Sequence, residues 1–238
     1  MIRVELLKLF RRPRTWMTIG LLDALPTIVA ILLAITGVGP RPGQGPAFLS
    51  AVLANGSLFA VAALAIVLPL FLPVAVAVVA GDTIAGEAQA GTLRYLLIRP
   101  VGRTRLLVAK LVSVFAFVLV SVVLVAGTGF FVGRALLGNQ SLSEAVTSVS
   151  GSTLTPGQIA ARTVLAIGYV AFSMLGVAAV ALFLSTVTDS ALSASMGALA
   201  ILIGSSLLLT IDASQALQPY LPTRYWLSFI DLFRDPIL

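Results

Sequence analysis

The sequence has no cysteine and no histidine among its 238 residues. That excludes disulfides, thiolate nucleophiles, imidazole bases, Cys/His metal sites and histidine-based hydrolase triads. Charge is scarce as well, at 10% of residues against about 25% in an ordinary soluble domain. No catalytic residues and no metal site are expected on this chain.

What fills the sequence instead is apolar surface. Hydrophobic residues make up 59% of it and the mean hydropathy is +1.08, more than a soluble fold of this size could hide. Repeated apolar runs approach the length of about 20 residues that crosses a bilayer. The expectation is an all-α, polytopic membrane protein forming a single transmembrane domain over residues 1–238.

Five spans are legible. The first runs over Met17–Val38 and contains Asp23 and Pro26. A dozen strongly apolar residues at about −0.3 to −0.6 kcal/mol each outweigh one off-centre aspartate costing at most about 3 kcal/mol. A Pro/Gly-rich loop, Gly39–Gly56, leads to a second span at Leu58–Ala80, where Pro69 and Pro73 predict a kink. The third, fourth and fifth spans fall at Leu106–Leu137, Ile159–Leu184 and Ala191–Ile211, the last two joined by the short turn Ser185–Ser190.

The flanks are different. Residues 1–16 read as an amphipathic helix in the headgroup layer, with Ile2, Leu6, Leu7, Leu9 and Phe10 on one arc and Glu5, Lys8, Arg11 and Arg12 mostly opposite. Residues 212–238 mix Asp212, Arg224, Asp231, Arg234 and Asp235 with Tyr220, Tyr225, Trp226, Phe229 and Phe233. That composition belongs to an extracytoplasmic interfacial segment. A cytoplasmic N-terminus puts Lys and Arg on the inner side at two to one. This topology accounts for the basic clusters, so no nucleic acid partner is expected.

The polar stretch Gly81–Lys110, GDTIAGEAQAGTLRYLLIRPVGRTRLLVAK, lies between the second and third spans. It predicts a cytoplasmic helix with Asp82 as N-cap and Pro100 as its stop. At 100 degrees per residue Glu87, Gly91, Arg94 and Ile98 share one face, and Leu93, Leu96 and Leu97 lie on the other. One face can anchor in the membrane domain and the other can meet a partner.

With Glu87, Gly91, Thr92, Leu93, Pro100, Val101, Arg103 and Lys110 in this order, the chain resembles the ABC-2 type permease family along nearly its whole length. The resemblance implies that residues 81–105 are a coupling segment seated in a cleft of a separate ABC ATPase. Glu87, Gly91, Thr92, Arg94, Tyr95 and Ile98 would be the coupling residues, with Glu87 facing a basic or polar group of that ATPase. It further implies a transport subunit that is not itself an enzyme, pairing as a homodimer or heterodimer in a multi-pass arrangement in the cell membrane. Such a subunit would export a hydrophobic or amphipathic compound, with Mg-ATP held on the partner. The absence of a Gly-x-x-x-x-Gly-Lys-Ser/Thr loop agrees with an ATPase in trans. Family members have six spans where five are visible here, so either a sixth is missing from this stretch or the C-terminus lies outside.

Other readings attach to single residues. Asp23, as an intramembrane carboxylate, would suit an ion-coupled secondary transporter, yet a polar contact between helices or snorkelling to headgroups also accounts for it. Few intramembrane charges and no inverted repeat accompany it. Pro69 and Pro73 could bend the second span around a substrate path or a dimer seam. Gly127, Gly129 and Gly133 suit close helix packing.

Overall fold

The computed structural model describes residues 2–36, 56–92, 102–137, 146–147, 153–211 and 215–233. Helix α1 (Ile2–Arg11) leads into α2 (Pro13–Thr36), and α3 (Phe59–Val67) is followed by α4 (Phe71–Asp82) and the short α5 (Ala85–Gln89). The long helices α6 (Arg103–Leu136) and α7 (Pro156–Val187) come next, then α8 (Ala191–Leu208). Strands Val146–Thr147 and Thr153–Leu154 pair antiparallel in the loop before α7. The architecture is an all-α polytopic membrane domain: among the described residues four helices are long and apolar enough to cross a bilayer, and α3 with α4, bent by 58° at their break, count as a fifth when the pair is taken as one span.

The breaks follow from local chemistry. Pro13 opens α2 at its first position, where a missing N–H costs nothing. Between α3 and α4 the helix is interrupted at residues 68–70, with Pro69 inside the break and Pro73 in the first turn of α4, where its missing N–H breaks no intrahelical bond. Thr155 and Gln158 form a reciprocal cap at the start of α7: Thr155 N–H donates to Gln158 Oε1 at 2.9 Å, and Gln158 N–H donates to Thr155 Oγ1 at 3.4 Å. Ser190 caps α8, accepting from Ser193 N–H.

Two compact units divide the chain. The first comprises residues 1–18, 69–120 and 171–226. Within it α8 packs along α4, with Ala194, Ala198 and Leu202 buried on one helix and Leu72, Val76 and Ala80 on the other. Gly81 permits this approach, since a Cβ there would sit 3.1 Å from Ser195 N. Ser205 and Thr223 hydroxyls meet at 2.8 Å and tie α8 to the segment after it.

The second unit comprises residues 19–68, 121–170 and 227–238. Within it α3 packs closely against α6. A Cβ on Gly129 would lie 2.8 Å from Ala63 Cβ, and one on Gly133 would overlap the Gly56 carbonyl and the Phe59 side chain. Close approach replaces hydrophobic driving force in lipid, where small residues bring backbones into van der Waals contact.

Three expectations need correction. The stretch after the second span is not one helix from Asp82 to Pro100. Asp82 is the last residue of α4, and α5 ends at Gln89; residues 93–101 lie outside those described. On the N-terminal helix the side carrying Glu5 and Lys8 is not the outward one: Glu5 and Leu9 are buried because that side finds partners in the protein, while Ile2, Val4 and Leu7 stay exposed. Of the aromatics expected at an interface, Tyr220 and Tyr225 are exposed, but Trp226, Phe229 and Phe233 are buried. These lie in a 3-10 segment, Pro222–Phe233, whose three residues per turn put Trp226 and Phe229 on the same side.

Candidate functional site

The turn from Gly81 to Thr92 is gripped at both ends. At its start, Ser185 of α7 donates to the Gly81 carbonyl at 2.6 Å and accepts from Ile84 N–H at 3.2 Å and Ala85 N–H at 2.9 Å. Ile84 has no side-chain cap to offer α5, so the serine hydroxyl from a distant helix supplies it. At its end, Gly91 N–H donates to Ala88 O at 2.9 Å and Thr92 N–H to Glu87 O at 3.0 Å, the paired bonds of a Schellman motif. Gly91 has φ 67°, a left-handed backbone that glycine adopts without steric cost.

Between these two ends Glu87 points inward and is 4% exposed. It accepts a hydrogen bond from Lys8 of α1, and its Oε2 lies 3.0 Å from Lys110 Nζ of α6. Lys110 is 1% exposed, donates to the Thr83 carbonyl at 2.6 Å and has Glu5 at 3.6 Å. Two carboxylates and two ammonium groups thus form a neutral cluster. Burial by itself pushes the Glu87 carboxyl up. The Lys8 hydrogen bond and the charge and hydrogen bond of Lys110 more than reverse this, so Glu87 is held below the ordinary carboxylate range.

A second ion-pair group sits one helical turn along α1 from Lys8. Asp82 Oδ2 lies 2.9 Å from Arg12 Nη1 and 3.6 Å from Arg14 Nη1. Glu5, Lys8 and Arg12 follow at three- and four-residue steps, which places them on one side of the helix facing the turn.

Glu87 therefore does not face outward toward a partner; its basic partners are Lys8 and Lys110 of the same chain. Gly91 is the helix terminator, and Thr92 also donates from its hydroxyl to Glu87 O at 3.2 Å. Arg94, Tyr95 and Ile98 lie outside the described residues. Exposed on the turn are Gln89, Ala90 and Thr92.

Asp23 stands apart from this cluster in sequence and chemistry. Its Oδ1 accepts a hydrogen bond of 2.7 Å from Thr128 Oγ1 of α6, a polar contact between two spans. Among the described residues no group of three or more Asp or Glu could hold a metal ion. Helices α1, α6 and α7 each hold the turn between Thr83 and Glu87 by a directed bond, so the turn is tied to three helices at once.

Sequence reasoning missed Ser185, Glu5 and the pairing of Lys8 and Lys110 with Glu87. The spacing of Glu5, Lys8 and Arg12 along α1 carried a signal; a lone serine at the end of a span carried none.

A family profile described as ABC-2 family transporter protein matches residues 1–188. Among curated proteins, none matches the chain.

Proposed function

The chain belongs to the ABC-2 transporter family, which makes it a multi-pass permease subunit of an ABC transporter, and on that premise we propose that it works as an exporter driven by a separate ATPase docking on residues 83–99. The observation that carries this reading is the anchorage of the turn. A pull on Ala85–Gln89 reaches α7 through Ser185, α1 through Lys8 and α6 through Lys110. In this reading the docking residues are Gln89, Ala90 and Thr92, exposed on the turn, together with Arg94, Tyr95 and Ile98, which the family resemblance assigns to the coupling segment. Glu87 and Gly91 serve them from behind, one as the charged anchor and the other as the terminator that gives the turn its shape.

In this reading the N-terminus and the turn are cytoplasmic, in line with the bias of Lys and Arg, and two permease chains pair in the cell membrane around a helix-lined path. No reacting side chain is called for, and the substrate is a hydrophobic or amphipathic compound. Mg-ATP belongs to the ATPase. Asp23 acts as an interhelical contact through Thr128, a role that needs no ion coupling.

The test is co-purification, in mild detergent, of the chain with the ABC ATPases of its host, comparing wild type with Ala90→Trp and Tyr95→Ala. A complex that survives in wild type and is lost in both variants, with helicity and thermal unfolding unchanged, supports the docking assignment. A complex untouched by either variant would move the contact elsewhere, and failure to bind any ATPase would overturn the reading.

A further inference from the structure

Where α1 gives way to α2, two guanidinium groups converge on a single oxygen. Arg12 and Arg14 both reach Asp82 Oδ2, so one carboxylate charge is shared by two cations and a net charge of about +1 remains. Each guanidinium carries five N–H donors in a fixed fork, and the side chain of Arg14 is 70% exposed. The cavity beside them is lined by both arginines with Thr15, Thr18 and the apolar Val78. It lies at the first turn of a 24-residue helix, whose dipole also favours an anion.

The depth of this cavity in a bilayer can be read from its neighbours. Trp16 is 51% exposed, its indole N–H donates to the Phe10 carbonyl at 2.9 Å, and its ring lies 6.2 Å from that of Phe10. An exposed tryptophan with an apolar body marks the headgroup level. Met17, at 68% exposed, and Val78 begin the apolar surface on which acyl chains lie. On α1 the exposed Ile2, Val4 and Leu7 suit the same interface.

We propose that this elbow is a binding site for the phosphodiester of an anionic phospholipid, with Arg14 and Arg12 as its ligands and Asp82 as the group that holds the two guanidiniums together. The occupant is anionic because the site keeps a positive charge after Asp82 is counted. It is a lipid because the site is set between an exposed tryptophan and exposed apolar side chains. Fork-shaped donors suit phosphate oxygens better than a point charge does. The inference does not depend on the identity of the ATPase or of the transported compound.

The chain has two tryptophans, so a Trp226→Phe background leaves Trp16 as the sole reporter. In nanodiscs of phosphatidylcholine, a small share of dibrominated phosphatidylglycerol should quench Trp16 as if enriched about fivefold over dibrominated phosphatidylcholine, the factor expected for one additional basic contact at the surface. Arg14→Gln should abolish the preference, since Arg12 still satisfies Asp82 and the fold is kept. Arg11→Gln removes the same charge from an exposed position outside the cavity and should leave the preference in place. Equal quenching by the two lipids, or equal losses in the Arg11 and Arg14 variants, would overturn the proposal. Displacement by inorganic phosphate at constant ionic strength would assign the site to a soluble anion and overturn the lipid as occupant.

Discussion

Lys110 Nζ lies 3.0 Å from Glu87 Oε2, with 1% of the lysine side chain and 5% of the glutamate side chain exposed. This joins the turn between the second and third spans to the base of the third. A buried ion pair is poor evidence for net stability, because desolvation opposes the attraction, but removing one partner leaves the other charge stranded. The pair therefore fixes position more than it adds stability.

Lys110→Met should cost about 3 kcal/mol, the lower end of the range for breaking a buried pair. Glu87→Leu in the same chain should recover a good part of that, because both charges are then gone. Thermal unfolding of the purified protein in detergent would measure both. Additive losses in the double variant would show that the two side chains do not act on each other.

The pH dependence follows from the direction in which Glu87 is shifted. Its folded-state carboxyl is held below the ordinary value of 4.5, so the unfolded chain takes up the proton more readily. The stability this contributes is fully present above that ordinary value and is lost as pH falls through the lower, folded one. The difference in unfolding temperature between wild type and Glu87→Gln should stay constant from neutral pH down to about 5 and shrink in more acid solution. A difference that faded between neutrality and pH 5 would contradict the shift.

Ser185→Ala should cost about 1 to 3 kcal/mol, because the hydroxyl serves three backbone groups: the buried Gly81 carbonyl and Ala85 N–H, and the half-buried Ile84 N–H. Hydrogen exchange at Ile84 and Ala85 gives a local readout, and both amides should lose protection while those in the middle of α7 keep theirs. Unchanged exchange at both would mean another group caps the turn.

Much of this was legible in the sequence where the physics is carried by runs of one residue type. Four spans fall where apolar length puts them, and the stretch read as the second span holds the bent pair α3 and α4, whose break coincides with Pro69. The turn itself was harder. Helical periodicity carried Glu87 and Gly91 onto a common outward face, yet periodicity assumes that the helix continues. Glycine at 91 ended it, and with Lys8 from 79 residues away Glu87 gained a reason to turn inward. Pairings at that separation depend on how the chain is folded back, and no window of sequence displays them. The same holds for Asp23, whose partner Thr128 is a neutral hydroxyl 105 residues away rather than the basic residue one would look for.

Gly91 allows the shape of the turn to be separated from its surface. At φ 67° an L side chain brings its Cβ close to the following carbonyl oxygen, so Gly91→Ala should destabilise the protein by about 1 to 2 kcal/mol. Gly91→Asn should cost less, since asparagine visits this conformation far more readily than alanine does. If residue 91 matters through its backbone, recovery of the ATPase complex should rank glycine, then asparagine, then alanine, in the same order as thermal stability. If its missing side chain matters instead, because the partner packs against a bare backbone, asparagine should be worse than alanine, being the larger of the two. Measuring unfolding temperature and complex recovery on the same three proteins distinguishes the cases, and a bulky-residue order in recovery alongside a conformational order in stability would mean that Gly91 is itself touched by the ATPase.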